Sequence, residues 1–146
     1  MPTTQELSSD LVVYAARLVR AVRRANELPA GVRVLSLLDQ YGPLGISQLA
    51  ATDRCSQPTM SAAVSQLEAR AWVVKQPNPN DARASLITLS DQGRRELARV
   101  RDLNGRTVAA QFEAHPTHTA EDLAVAVAVL RDVLESGIPT TERGNL

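Results

Sequence analysis

Apolar residues recur at helical spacing along most of this chain. Between residues 5 and 26 an apolar side chain returns every three or four positions, which is the repeat of one helix face. Arginines gather towards the end of this segment, where positive charge is favourable to the helix dipole. The pattern predicts a long first helix whose apolar stripe is Leu7, Leu11, Tyr14, Leu18 and Val22.

A second helix is predicted to follow closely. We expect Pro29 in its first turn, where proline is tolerated, and an end at the Tyr41-Gly42-Pro43 segment. Its buried face would consist of Val32, Leu35 and Leu38.

Two serines predict the starts of the next two helices. Ser47 is a good N-cap for a short third helix, and the preceding Ile46 can form a hydrophobic staple. Ser56 is a good N-cap for a fourth helix, which has Pro58 in its first turn. The apolar face of this fourth helix is Met60, Val64 and Leu67.

The pattern changes from helical to strand-like after residue 72. The runs WVVKQ and SLITLS are short and rich in β-branched residues, and a segment rich in Pro, Asn and Asp separates them. They predict a β-hairpin with a projecting loop from Pro77 to Ala84. Ser90 and Thr119 then cap two more helices, and the last has an apolar stripe of Leu123, Val127, Leu130 and Leu134.

The predicted fold class is mainly α with a small β-hairpin wing. A helix-turn-helix followed by a two-stranded hairpin is the winged-helix arrangement. The long first and last helices lie outside it. We therefore expect a single domain over residues 1–146, in which a winged-helix lobe spans about 29–90 and helical regions span about 5–26 and 91–136.

Charge and cysteine content narrow the function classes. The net charge is zero, yet residues 53–101 hold eight Lys/Arg against five Asp/Glu, while residues 102–146 hold three Arg against seven acids. A mildly basic centre beside an acidic end suits a surface for nucleic acid with a separate scaffold. The single cysteine, the lack of a long apolar run and the lack of a signal peptide point to a cytoplasmic protein.

Three segments carry a resemblance to a known family. They are LSLLDQYGPLGISQLA, SQPTMSAAVSQLEARAWV and NPNDARASLITLSDQGRREL, and the most specific part is Asp81-Ala82-Arg83-Ala84 followed by Ser90-Asp91-Gln92-Gly93. Together they resemble the MarR family of bacterial transcriptional regulators. The chain departs from the usual pattern at Asp53-Arg54-Cys55-Ser56, and at Ala62, Ala71 and Ala82.

The resemblance implies a homodimeric DNA-binding regulator. It implies repression from a palindromic operator in double-stranded DNA, relieved by a ligand such as a small aromatic or phenolic acid. The ligand-binding residues are unknown from the sequence. In this family the terminal helices form the dimer interface, which would include Leu7, Leu11, Leu18, Leu123, Val127, Leu130 and Leu134.

Candidate DNA contacts lie on the fourth helix and on the wing. Polar side chains at the N-terminal end of a recognition helix meet base edges in the major groove, and an arginine at a wing tip can enter the minor groove. Asp81 is expected to hold the guanidinium of Arg83, while Arg54 and Lys75 are expected to contact phosphates. The predicted DNA-contacting residues of this helix are Gln57, Thr59, Ser61, Ser65 and Gln66, and the first four are expected to include the base readers.

Other chemistry has weaker support in the sequence. Cys55 fits a structural position in the turn better than a redox sensor, and His115 and His118 flank a proline without the ligands of a metal site. We expect no metal, no cofactor and no enzymatic activity, since the common catalytic motifs are absent. The alternative function is a winged-helix module that binds another protein and has little affinity for DNA.

Overall fold

The computed structural model describes residues 1–139, which form six helices and one β-hairpin. The expected order of elements and the mainly α winged-helix fold class are confirmed. The elements are α1 (Thr4–Ala25), α2 (Val32–Tyr41), α3 (Ile46–Asp53), α4 (Gln57–Ala69), β1 (Val73–Asn78), β2 (Asp81–Leu89), α5 (Asp91–Ala114) and α6 (Ala120–Glu135).

The chain divides into two packing units, the first of which covers residues 1–107. Its core combines the inward faces of α2, α3 and α4 with the hairpin and the start of α5. The predicted faces of α2 and α4 are buried, and Leu49 of α3 and Ile87 of β2 are fully enclosed. Burial of such side chains stabilises the unit by about 1.5–3 kcal/mol each.

Two predicted helix starts are wrong. Pro29 precedes α2 in a turn, in which its carbonyl oxygen accepts a bond from the Val32 N–H at 3.2 Å, and Gly31 is the N-cap. Ser47 lies within α3, whose N-cap is Gly45. The Gln48 side chain accepts a bond from the Gly45 N–H at 2.9 Å, so a capping side chain in the first turn replaces the expected N-cap hydroxyl.

The hairpin is longer and tighter than the sequence predicts. The strands pair antiparallel from Val73 opposite Leu89 to Asn78 opposite Asp81, and two residues connect them. Residues 77–84 are therefore largely strand and not an open loop. Leu44 forms a short antiparallel bridge with Ile87. The Leu44 N–H donates to the Ile87 carbonyl oxygen at 3.2 Å, and the Ile87 N–H donates to the Leu44 carbonyl oxygen at 2.7 Å. This bridge connects the segment before α3 to the wing.

A close contact joins the hairpin to α5. Ser90 caps α5 as predicted, since its hydroxyl oxygen accepts a bond from the Gly93 N–H at 3.0 Å. The same hydroxyl donates to the carbonyl oxygen of Ala71, a residue with a left-handed backbone at φ +60°. A Cβ on Gly93 would lie 2.0 Å from the carbonyl oxygen of Trp72. Glycine is therefore required sterically where α5 begins.

The second unit begins at residue 108 and contains the end of α5 and the whole of α6. Thr119 caps α6 as predicted, because its hydroxyl accepts a bond from the Asp122 N–H while its own N–H donates to the Asp122 carboxylate. The bonds that the Asp122 carboxylate accepts from Thr119, above all from its backbone N–H, favour the charged form and lower the pKa of Asp122. No residue of α6 is buried. No helix among residues 1–139 has the length and hydrophobicity needed to span a bilayer.

Candidate nucleic-acid interface

The fourth helix is fixed to the core by one face and presents the other to solvent. Its three predicted core residues, Met60, Val64 and Leu67, are almost fully enclosed. Ser56 caps the helix with its hydroxyl oxygen, which accepts a bond from the Thr59 N–H at 3.2 Å. The orientation of α4 is thus set by apolar packing and its first turn by the cap, so its outer surface is rigid.

All five predicted DNA-contacting residues of α4 are exposed. The Thr59 hydroxyl also accepts a bond from the Ser56 hydroxyl at 2.8 Å, so it is partly engaged by the cap. Ala62 lies on the same helix and offers only a methyl group. The exposed set is Gln57, Thr59, Ser61, Ser65 and Gln66.

The wing presents Arg83 where the strands leave their regular register. Asn78 pairs with Asp81 but its neighbour Pro77 pairs with Ser85, so the three residues between Asp81 and Ser85 have no partner on β1. This bulge directs the chain out of the regular ladder. Arg83 is exposed and forms no ion pair with any residue that the structure describes.

Asp81 supports the wing differently from the expectation. Its carboxylate accepts a bond from the backbone N–H of Arg83 at 3.0 Å, and does not bind the guanidinium. The carboxylate therefore fixes the backbone of the bulge and leaves the arginine side chain available. This is an Asx turn, which an aspartate two residues before the amide commonly forms.

The two expected phosphate contacts differ in their local structure. The ammonium group of Lys75 lies 3.9 Å from the Glu68 carboxylate, and both side chains remain largely exposed, so this contact is weak. Arg54 is exposed and ends α3 with a left-handed backbone at φ +54°.

A cleft of about 490 Å³ separates the start of α3 from the wing. Lys75 and Arg83 line it, together with the first turn of α3, whose N–H groups carry the positive end of the helix dipole. Two cations and a helix N-terminus favour an anion such as a phosphate. The sequence did not identify Ser47, Asn78 and Ser85 as lining residues, because only the bulge and the Leu44 bridge bring them together.

Six of the seven predicted dimer residues are exposed, two on α1 and four on α6. Leu7 and Leu18 of α1 are more than half exposed, and Leu11 is intermediate. Large exposed apolar side chains that are grouped on one surface commonly mark an interaction surface. On α6 the predicted residues Leu123, Val127, Leu130 and Leu134 are exposed, and so are Val125, Val129 and Val133.

The remaining candidates show little chemistry. Cys55 is half-buried against the core, in agreement with a structural position in the turn. His115 and His118 are exposed, and His118 lies 3.7 Å from the Asp122 carboxylate. Within residues 1–139 no three His, Cys, Asp or Glu side chains are grouped as metal ligands would be.

Comparisons with known proteins agree with this geometry. The model of the MarR family matches residues 29–85, from the turn before α2 into β2. An HTH-type transcriptional regulator of Mycobacterium bovis, itself uncharacterised, is 29% identical over 134 residues, which are 89% of this chain and 86% of that protein. An uncharacterised HTH-type transcriptional regulator of Mycobacterium leprae is 31% identical over 91 residues.

The M. leprae alignment covers 60% of this chain and 64% of that relative, so it spans less than two thirds of the relative's length. The crystal structure of wild-type MarR from Escherichia coli in its apo form superposes with a TM-score of 0.66. The superposition covers 92% of this chain and 98% of that one at 21% identity, which shows a shared fold. Residues 29–85 are thus similar to the MarR family, and the chain shares the fold of MarR from Escherichia coli.

Proposed function

We propose that this chain is a homodimeric, sequence-specific DNA-binding regulator of transcription. The observation that carries the proposal is the combination of a rigid α4 with an exposed polar face and a wing whose arginine has no acidic partner among the described residues. The basic cleft between α3 and the wing belongs to the same unit. The whole-chain charge of zero therefore conceals a local surface that suits DNA.

In the proposed complex α4 lies in the major groove. Gln57 is able to bond both edge atoms of adenine, and the serine and threonine hydroxyls can bond several bases. Arg83 enters the neighbouring minor groove, where a narrow A/T-rich sequence has an enhanced negative potential. Lys75 and Arg54 contact phosphates, which set position and affinity but carry no sequence information.

The exposed stripes of α1 and α6 support the proposed homodimer. A second copy would cover them and present a second α4. Two recognition helices of a symmetric dimer meet half-sites about 34 Å apart, so the operator would be an imperfect palindrome.

We further propose that the regulator is a repressor. The support is the family resemblance, which also suggests release by a small aromatic or phenolic acid. Such a ligand must bind the DNA-free conformation more tightly than the DNA-bound one, because equal affinity would shift nothing. Titrating the operator complex with salicylate tests this: release supports the proposal, and unchanged binding at saturation contradicts it for this acid.

The experiment that tests DNA recognition is selection of bound duplexes from a random pool. We expect an enriched palindrome, and we expect alanine at a true reader to relax one base position at a cost of about 1–3 kcal/mol. The variants are Gln57→Ala, Thr59→Ala, Ser61→Ala and Ser65→Ala. If no sequence is enriched, the alternative of a protein-binding winged helix is favoured.

A further inference from the structure

The centre of the exposed face of α4 is apolar. A helix turns about 100° per residue, which places Ala62 roughly opposite the buried side of α4. That buried side is formed by Met60, Val64 and Leu67. Ala62 is exposed, and so is Pro58 one turn before it. The part of α4 that projects furthest from the core therefore consists of a methyl group and a proline ring.

Uncharged polar side chains flank this apolar centre. No Lys, Arg, Asp or Glu occurs from residue 55 to residue 67. The next charged residue along the helix is Glu68, near its C-terminal end, whose carboxylate lies 3.9 Å from the Lys75 ammonium group. The exposed flanking residues are Ser61 and Ser65 on one side, and Thr59 and Gln66 on the other.

This surface lacks the charged side chains that recognise G·C pairs in the major groove. Arg and Lys bond the O6 and N7 atoms of guanine, and Asp and Glu accept from N4 of cytosine. Gln instead bonds N6 and N7 of adenine, while the 5-methyl group of thymine is recognised by apolar contact with groups such as the alanine methyl. The exposed face of α4 up to Gln66 therefore offers specific partners for A·T pairs.

We infer that the centre of α4 reads a thymine in each half-site, through contact between the Ala62 methyl group and the thymine 5-methyl group. This inference deepens the proposed function and rests on it, because it requires α4 to lie in the major groove. A purine at the same position would present an N7 acceptor to a side chain that has no donor, and cytosine would present a donor to a side chain that has no acceptor. Of the four bases, only thymine presents an apolar group to Ala62.

Replacing thymine by uracil in the selected duplex tests this contact, since uracil lacks only the 5-methyl group. In a scan of single positions with the full chain, uracil should weaken parent binding about fourfold at one or more positions in each half-site, from the loss of one buried methyl group. Uracil at both symmetry-related positions should weaken binding about fifteenfold. Ala62→Gly has no methyl group to make the contact, so at one position in each half-site it should bind the thymine and uracil duplexes with equal affinity.

Ala69→Gly is the matched control, because it removes an exposed methyl group from the same helix about 10 Å nearer the C-terminal end. It should keep the parent's preference for thymine over uracil at every position. Comparing two duplexes on the same variant cancels any loss of helix stability that glycine causes.

A second variant, Ala62→Arg, tests the same position by a gain of specificity. Arginine bonds guanine, so a repeated selection with this variant should enrich a G·C pair where the parent selects the thymine. The exposure of Ala62 means that the larger side chain should not disturb the core.

The outcomes separate this contact from DNA recognition itself. A parent that selects no sequence would overturn both. A parent that selects a sequence but shows no uracil penalty, or an Ala62→Gly variant that keeps the parent's penalty at every position, would overturn the contact alone. An unchanged selected sequence for Ala62→Arg would also overturn it.

Discussion

Arg83 is the residue whose loss should weaken DNA binding most. Its backbone is fixed by Asp81 and its side chain is exposed, so Arg83→Ala should leave the melting temperature nearly unchanged. We expect operator affinity to fall at least about tenfold, or about 1.4 kcal/mol. Arg83→Lys should recover part of the lost affinity, because lysine keeps the positive charge but lacks the planar guanidinium with its several N–H donors. Parent affinity in a titration of Arg83→Ala would exclude the wing from the DNA contact.

Ala71 carries a backbone cost that glycine would remove. Its φ of +60° lies in the left-handed region, which costs alanine about 1–2 kcal/mol in the folded state. Glycine does not have this cost, and the extra conformational entropy that glycine loses on folding is a smaller penalty. Ala71→Gly should therefore raise the free energy of unfolding by about 0.5–1 kcal/mol. Ala110→Gly in the exposed part of α5 is the control and should lower it by a similar amount. Equal denaturation midpoints for Ala71→Gly and the parent would argue against the strain.

At the residue scale the sequence predicts burial better than it predicts polar contacts. The core of α4 and the caps Ser56, Ser90 and Thr119 follow from periodicity and local chemistry. The Asp81 contact does not, because a carboxylate two residues before an arginine can bind either its amide or its guanidinium. Only the conformation of the bulge decides between them.

At the element scale the junction between wing and α5 gives a sharp comparison between two glycines. Gly93→Ala would place a methyl group against the Trp72 carbonyl, and should lower the free energy of unfolding by about 2 kcal/mol or more. A Cβ on Gly105 would meet no atom within 4 Å beyond its own helix backbone, so Gly105→Ala should raise that free energy by about 0.5–1 kcal/mol, as expected in a helix. Urea denaturation of both variants measures the two free energies of unfolding. Changes of the same sign and size in both variants would contradict the close packing of Gly93 against Trp72.

The hairpin shows why element boundaries are harder to predict than elements. Pro77, Pro79 and two asparagines suggest a long loop from composition alone. The strands nevertheless continue to Asn78 and resume at Asp81, because the bulge accommodates the three extra residues of β2. The Leu44 bridge was also missed, since a single strand-like residue before a helix leaves no periodic pattern.

At the scale of the whole molecule, the charge distribution is more informative than the net charge. Three cations per protomer, Arg54, Lys75 and Arg83, are the proposed DNA contacts, and a dimer would present six. The fold and the similarity to the MarR family could be inferred from the sequence, because helix periodicity and the wing motif are visible in it; the family model matches residues 29–85. The cleft could not, because it depends on how the start of α3 approaches the wing.

Dimer formation is a prediction at the scale of the whole molecule. The exposed stripes of α1 and α6 should associate at micromolar concentration, and light scattering should report twice the chain mass of 15.8 kDa. Leu18→Glu on the exposed apolar stripe of α1 should shift the protein towards monomer, whereas Arg20→Glu on the same helix should not. A monomer mass for the parent would contradict the assembly.

The most direct test of DNA recognition is the salt dependence of affinity for the selected duplex, measured beside a scrambled duplex of equal length. The four phosphate contacts of a dimer, from Arg54 and Lys75 of each protomer, predict a slope of log affinity against log salt of about −4. The selected duplex should bind at least about a thousandfold more tightly than the scrambled one at physiological salt. A flat salt dependence, or equal affinity for both duplexes, would contradict the conclusion that α4 and the wing read DNA.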